Sequence, residues 1–425
     1  MLIAIEGCCH GVLDQIYSRV PKNVELLIIC GDFQSIRNKA DMECISVPPK
    51  YRSMGDFQDY YTGKKKAPVL TIFVGGNHEA SNYLEELKYG GFVAPNIYYL
   101  GRSGCVWYKG LRIAGWSGIY KSGDFMRLRR DESLPYNRWT VRSVYHYRKD
   151  DYMKLRLMKP SNDSVVVSHD WPEGIYRYGS LSYLLKNKPF FKKDIEKGEL
   201  GSPMNRELLN HLRPQYWFAA HLHTGFNATI DWNRKRIGGH DQDISRKMAK
   251  IENKDEITLE ISDGEEDGED AKIDEKTEPV LPFHTSTQFL ALDKCLPRRT
   301  FLKILEIPIN STHRSVANSS LYYDPEYIAI MKSVDRHRKD LDDLSFRDIL
   351  NPNQEYQDTV LKDAQQSLAE FGKLSPAEYD ELFQVDMNGF VETASPESDS
   401  TQLKAYDNPQ TISFEGKFQR VSLMM

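Results

Sequence analysis

Apolar residues gather along this chain in short runs, each followed at once by a polar turn. LIAIE (2–6) precedes GCCHG, ELLIIC (25–30) precedes GD, and VLTIFV (69–74) precedes GGNHE. SVVVS (164–168) precedes HDWP, and QYWFAA (215–220) precedes HLH. The runs are continuous rather than alternating, which predicts strands buried on both faces of a layered α/β fold. Helical stretches fall between them, at GVLDQIYSRV (11–20), SNYLEELKYG (81–90) and NRELLNHL (205–212). Repeated strand–loop–helix units collect their loops along one sheet edge, where α/β ligand sites form. Farther on, TSTQFLALDKCLP (285–297) and TFLKILEIP (300–308) predict strands, and 321–344 reads as helical. From Gln384 the Asn/Ser/Glu/Gln-rich sequence predicts a loose tail.

Composition sharpens this picture. At 425 residues the chain exceeds one ordinary core and suggests two or three units. No apolar run approaches the roughly 18 residues of a membrane helix, and MLIAIEGCCHG does not read as a secretion signal. Six cysteines without metal-knuckle spacing predict a reducing compartment, cytosolic or nuclear. The net charge of −5 hides a split: residues 1–230 hold 32 Lys+Arg and 23 Asp+Glu, net +9. Residues 254–278 hold 12 acids and 3 bases and predict a disordered acidic insertion. The first half is thus a basic body, suited to a polyanionic partner. RKR (234–236) fits a nuclear-import patch or plain surface.

Five histidines stand directly after the apolar runs: His10, His78, His169, His221 and His223. Asp32 and Asn77 occupy equivalent strand-end positions. One such histidine is ordinarily structural. Five of them, with a Gly-Asp and a Gly-Asn-His-Glu, are not explained by packing. Imidazole and carboxylate converging from separate strands suit divalent transition metals, and an HxH pair can divide between two neighbouring ions.

These blocks carry a resemblance. CxH (Cys8, His10), GD (Gly31, Asp32), GNHE (Gly76 to Glu79), His169 and HxH (His221, His223) resemble the five-block signature of calcineurin-like metallophosphoesterases. Cys8 stands where most of that superfamily has Asp, as in the RNA lariat debranching enzymes. EGCCHG, GDFQ, VGGNHEASNYL, SGIYKSGDF, PYN, RSVYHYR, SHDWP, HLHTGF and LALDKCLPRRTFL also look like that family, over about residues 1–310. The resemblance implies a β-sandwich flanked by helices with a metal site at the strand ends, and a C-terminal extension domain. The expected organisation is a catalytic domain over 1–232 (with an insertion at 117–160), a basic then acidic insertion over 233–282, a C-terminal domain over 283–383 and a flexible tail over 384–425.

By the same resemblance, Asp32 bridges two metal positions. His10 and His223, with Cys8 beside them, complete one; Asn77, His169 and His221 complete the other. A carboxylate can span ions ~3.5–4 Å apart, as two-metal hydrolysis requires. A sulfur at Cys8 disfavours Mg²⁺ and favours Zn²⁺ or Fe²⁺, with Mn²⁺ less natural, in one or two ions. The alternative is that Cys8 is simply a small buried hydrophobe. His78 matches the superfamily histidine that protonates the leaving oxygen, or else only hydrogen-bonds the phosphate. Glu79 is expected to orient a histidine or cap the next helix, without a catalytic role.

Between Lys121 and Lys159 stand 11 Lys+Arg and 5 Asp+Glu, interleaved with Phe125, Tyr136, Trp139, Tyr145, Tyr147 and Tyr152. Charge positions phosphates, and aromatic faces stack on unpaired bases. Such loops also solvate one face and pack on the other. In the resembling family this segment grips nucleotides around the branch, which makes Tyr120, Lys121, Asn137, Arg142, Tyr145 and His146, with Gln34, the candidate contacts. The resemblance implies hydrolysis of the 2′–5′ phosphodiester at the branch of intron lariats, in the nucleus or shuttling to the cytoplasm. Branched RNA and spliceosome-associated proteins are then the expected partners, and a membrane is not. The residues alone give metal-assisted phosphoester hydrolysis. A broader phosphoesterase on single-stranded ends or small diesters, and a non-catalytic RNA-binding scaffold, remain the alternatives.

Overall fold

A computed structural model describes residues 1–233, 285–350 and 354–419. The expectations for 234–236 and 254–278 lie outside the described residues. Of the described helices, none is long and apolar enough to cross a membrane.

The first sheet comprises β1 (Leu2–Glu6), β2 (Leu26–Ile29), β3 (Thr71–Phe73), β4 (Gly91–Ala94), β5 (Ile97–Tyr99) and β12 (Leu302–Glu306), in the order β12-β1-β2-β3-β5-β4. The second comprises β6 (Ser103–Tyr108), β7 (Leu111–Trp116), β8 (Ser164–Ser168), β9 (Tyr216–Ala219), β10 (Phe226–Asp231), β11 (Ser286–Ala291) and β13 (Leu321–Tyr323), in the order β10-β11-β9-β8-β7-β6-β13. The apolar runs lie at the centre of each sheet: β1, β2 and β3 pair in parallel, as do β7, β8 and β9.

The continuous runs have a simple cause. Ile3, Ile5, Leu26, Ile28, Ile113, Val165, Val167 and Phe218 form one cluster shared by both sheets. The intervening Ala4, Leu27 and Ile29 pack with Leu13, Ile16, Phe57 and Tyr83 from helices. On the second sheet, Ala114, Trp116, Val166 and Trp217 belong to a third cluster with helical Leu208 and Ile328. A strand with period-2 side chains covered on both faces must be apolar at every position. Two sheets, each lined by helices, put the carboxyl ends of β1, β2, β3, β8 and β9 within reach of one another.

The later residues do not stand apart from this sandwich. β11 lies between β9 and β10, β12 pairs with β1, and β13 pairs with β6. Two expectations change. LYY (321–323), within the expected helical stretch, forms β13, because Leu321 and Tyr322 are buried and pair with Tyr108 and Trp107. The helix begins only at Pro325–Arg336, where the Asp324 carboxylate accepts from Tyr327 N and Pro occupies the first turn. The segment after Gln384, expected as a loose tail, is anchored as far as Gln419. Val385 N donates to Leu321 O, the Tyr61 hydroxyl donates to Ala394 O, and Phe414 and Phe418 are buried in a helix over Pro409–Phe418. Sparse but regularly placed apolar anchors hold a segment whose average composition is polar.

Candidate metal centre

Each strand run ends one to five residues before the side chains it brings to the site. β1 leads to Cys8 and His10, β2 to Asp32, β3 to Asn77 and His78, β8 to His169, and β9 to His221 and His223. The structure brings all of these together. His10 Nε2 lies 3.1 Å from His223 Nε2 and 3.7 Å from Asp32 Oδ2. On the other side of the carboxylate, His169 Nε2 lies 3.4 Å from Asp32 Oδ1, 3.2 Å from Asn77 Oδ1 and 3.2 Å from His221 Nδ1. Cys8, His10, Asp32 and His223 offer ligand-capable atoms that all fall within 4.8 Å of one another. Cys8 Sγ also accepts from His221 N at 3.3 Å. The two oxygens of one carboxylate therefore face two separate groups of donors.

The backbone is bent to achieve this. His10, Asp32, Gln34, His221 and His223 all have positive φ, between 46° and 62°. Non-glycine residues adopt that region at a cost of order 1–3 kcal/mol each, so the surrounding fold must over-determine them. Two glycines keep the approach open. A Cβ at Gly31 would lie 2.3 Å from His169 Nδ1, and one at Gly76 would lie 2.3 Å from Asp32 Oδ1.

Protonation suits lone-pair donation. Burial pushes His169 down to about 4 and His223 down to about 3, and it lowers His10 as well. All three are neutral at pH 7. His169 Nδ1 lies 2.8 Å from the Cys30 carbonyl oxygen and donates to it, which leaves Nε2 as the free donor atom. Burial pushes Asp32 upward, but His169, His10, His78 and His221 around it outweigh this and hold its carboxyl well below the usual range. Burial, then the charges of Asp32 and Glu6, push the Cys8 thiol well up, so only a cation beside it would make it a thiolate. An ionised carboxylate among neutral imidazoles and a thiol is a donor set complete except for positive charge, and it fits divalent transition ions.

Glu79 neither orients a histidine nor caps a helix. Its carboxylate accepts from Phe33 N, Gln34 N and Gly76 N, each at 2.8 Å, tying the GDFQ loop to the GGNH loop. The helix Ser81–Glu86 has no side-chain cap. Burial, then the Asp32 charge, push Glu79 up to about 8 against the pull of those three donors. Glu6, which the sequence reading did not single out, is fully buried, and among the described residues neither of its carboxyl oxygens has a hydrogen-bond partner.

The expected RNA contacts divide. Gln34 Nε2 is 3.5 Å from His10 Nδ1, and the Tyr145 hydroxyl donates to Ser46 Oγ at 3.3 Å, beside His78. Lys121 and Arg142 are exposed, and Tyr120 is half-buried. His146 is buried with Nδ1 2.6 Å from Asp124 Oδ2, and the Asn137 side chain accepts from Trp139 N and Thr140 N as a turn cap. Those two hold the insertion's own shape. Of the aromatics, Phe125, Tyr147 and Tyr152 are fully buried, whereas Trp139 is 67% exposed. Arg129, Lys149 and Lys154 are buried too, paired with Asp151, Asp342 and Asp335.

The chain has relatives. Residues 1–225 match the family model described as calcineurin-like phosphoesterase, and residues 284–419 match that of the lariat debranching enzyme, C-terminal domain. A protein named lariat debranching enzyme from Schizosaccharomyces pombe is 39% identical over 455 residues, covering 98% of this chain and 95% of its own length. Those of that name from Saccharomyces cerevisiae and Homo sapiens are 44% and 46% identical, over 77% and 79% of this chain. The chain spans 82% of the former's length and 54% of the latter's. It spans about half the length of the vertebrate relatives it matches.

Proposed function

The chain belongs to the lariat debranching enzyme family of the calcineurin-like phosphoesterases, and from that we propose that it hydrolyses the 2′–5′ phosphodiester at the branch of intron lariats, leaving linear RNA with a 2′-hydroxyl and a 5′-phosphate. The observation that carries the reading is the Asp32 carboxylate, whose Oδ2 faces His10 and whose Oδ1 faces His169.

Calcineurin-like phosphoesterases work with divalent metal ions. Bound here, such ions would supply positive charge for the phosphate and water acidic enough to attack at neutral pH. Asp32, Cys8, His10 and His223 would hold one, and Asp32, Asn77, His169 and His221 a second. The soft Cys8 sulfur makes Zn²⁺ or Fe²⁺ the better fit and Mn²⁺ the next. Everything else is the work of the chain. Glu79 keeps the two ligand-bearing loops in register through their N–H groups. His78 holds the proton that the departing 2′ oxygen takes up, opposite the incoming water. Gln34, beside His10, borders the space for the branch. Lys121, Arg142 and Trp139 face solvent on the insertion, where phosphates and unpaired bases would meet them.

The test is a branched RNA beside a linear 3′–5′ RNA of the same sequence, with metal analysis of the purified protein. Cleavage at the branch alone is the expected result. Equal cleavage of both would support a broader phosphodiesterase, and a persistently metal-free, inactive protein would support an RNA-binding scaffold. Branched RNA arises in splicing, so the proposal extends to a nuclear location and to contact with spliceosome-associated proteins, which fractionation and co-purification would check.

A further inference from the structure

The contact that aims His78 comes from outside the motifs. His78 Nδ1 lies 3.2 Å from the main-chain carbonyl oxygen of Ser46, while Nε2 lies 3.1 Å from Asn77 Nδ2. A carbonyl can only accept, so Nδ1 carries a proton, and an amide nitrogen can only donate, so Nε2 accepts from ligand-side Asn77 and is the nitrogen at the centre that takes up a proton from solvent before the step. Ser46 is firmly placed. Its neighbour Ile45 is buried with Ile36 and Ala80, the residue two after His78. Upstream, Asp41 is clamped by Arg37 and by Asn82 Nδ2.

The insertion reaches the same residue from the opposite side. Tyr145 donates its hydroxyl to Ser46 Oγ at 3.3 Å. Its own main chain is fixed: Tyr145 O accepts from Ile119 N at 3.2 Å and presses on Gly118, where a Cβ would lie only 1.8 Å from it. Gly118 N in turn donates to Gly75 O at 2.8 Å, one residue before the GNHE block. Tyr145 thus bridges two loops that flank His78, with its backbone on one and its hydroxyl on the other.

We propose that Ser46 and Tyr145 are positioning residues for proton delivery: the Ser46 carbonyl fixes the His78 ring through Nδ1–H, and the Tyr145 hydroxyl fixes Ser46. The inference rests on the phosphodiesterase reading above. In the step itself, the proton on His78 Nε2 passes to the 2′ oxygen as its bond to phosphorus breaks. The ring is left neutral, with Nδ1–H still on the Ser46 carbonyl. The tyrosine expected from sequence as an RNA contact acts here through its hydroxyl on the protein.

Tyr145→Phe keeps the ring, and with it any stacking on a base, but removes the bridge. It is compared with the wild type on branched RNA and on bis(4-nitrophenyl) phosphate, whose nitrophenolate departs without needing a proton. We expect kcat on branched RNA to fall roughly 3- to 10-fold, part of the 10²–10⁴ that a positioned general acid contributes, with KM little changed. The ratio of branched-RNA to nitrophenyl-ester turnover should fall by the same factor. Ser46→Ala should match this loss, and the double variant should be no worse than either single one, because both remove one hydrogen bond. An unchanged kcat in Tyr145→Phe, an equal fall on both substrates, or a rise in KM alone would overturn the inference. A wild type that turns over the nitrophenyl ester but not branched RNA would instead sink the reading on which it rests.

Discussion

At the strand ends, Cys8, His10, Asp32, Asn77, His169, His221 and His223 turn toward one another and away from ordinary packing, on a backbone held at positive φ at several points. In the insertion over 117–160, side chains of equally chemical character divide between the inside and the surface. Phe125, Tyr147 and Tyr152 fill the core, Tyr147 stacks on Trp116 with centroids 3.6 Å apart, and Arg129 and Lys154 sit in buried ion pairs. At the strand ends a residue's role follows from its offset to a strand, because parallel strands deliver fixed offsets to one edge. In the insertion, composition says which groups are present but not which face they take.

The largest effect should come from the first region. Asp32→Ala removes the carboxylate that both donor groups share. Loss of several kcal/mol of charge stabilisation corresponds to on the order of 10³-fold or more in turnover, with the fold retained by circular dichroism. Appreciable cleavage by this variant would break the contrast, since Asp32 would then be another buried polar residue. The counterpart in the insertion is Tyr147→Ala. Deleting a buried aromatic should cost roughly 3–5 kcal/mol of stability, seen in a urea melt. A variant as stable as the wild type but weak for RNA would move Tyr147 from the core to the binding face.

A somewhat smaller effect appears with pH. His169 at about 4 and His223 at about 3 lie below the ordinary histidine value of 6.5. At these two histidines the unfolded chain therefore binds more protons than the folded one between about 4 and 6.5. Their contribution to stability is fully present above 6.5 and is lost as pH falls toward 4. For the fully buried His169 alone the loss is roughly 3 kcal/mol. His211 is pushed down to about 4 by burial as well, against the Met158 carbonyl and away from the site. Glu79, pushed up to about 8, acts in the opposite sense over the same range, so the comparison is between variants. In urea melts of chelator-treated protein, His169→Gln should raise stability at pH 4.5 relative to pH 7.5 by roughly 3 kcal/mol over the wild type, and His211→Gln only by its own share. An equal pH dependence in the wild type and His169→Gln would mean that the His169 imidazole is already protonated.

The two regions also differ in how far they could be read beforehand. The layered fold and the edge on which the loops meet follow from continuous apolar runs, and the histidines, Asp32 and Asn77 are visible as their immediate sequels. Glu79 was visible too, but its job was not: its partners are backbone N–H groups of residues 33, 34 and 76, which no side-chain pattern encodes. Ser46 gave no signal because it acts through its main-chain carbonyl. LYY reads as helix because its apolar residues continue the periodicity of the helix Pro325–Arg336. The pairing with β6 that makes it a strand is a long-range contact. Phe414 and Phe418 lie four apart on one helical face, a spacing masked by the polar residues around them.

The smallest effects should come from the part of the insertion that does face water. Trp139 is 67% exposed, and Lys121 and Arg142 are exposed as well. None fills the core, so alanine at each should change stability by no more than about 0.5 kcal/mol. Their contribution to RNA should differ in kind. Stacking on an unpaired base is worth about 1–3 kcal/mol and depends little on salt, so Trp139→Ala should weaken binding by a similar factor at all ionic strengths. A phosphate contact releases counterions, so Lys121→Ala or Arg142→Ala should reduce the slope of log affinity against log salt by about 0.7 each. Titrating a catalytically silent Asp32→Ala protein with branched RNA at several salt concentrations separates the two. Binding by all three variants with wild-type affinity and slope would mean that this segment, composition notwithstanding, only solvates the face opposite its packing.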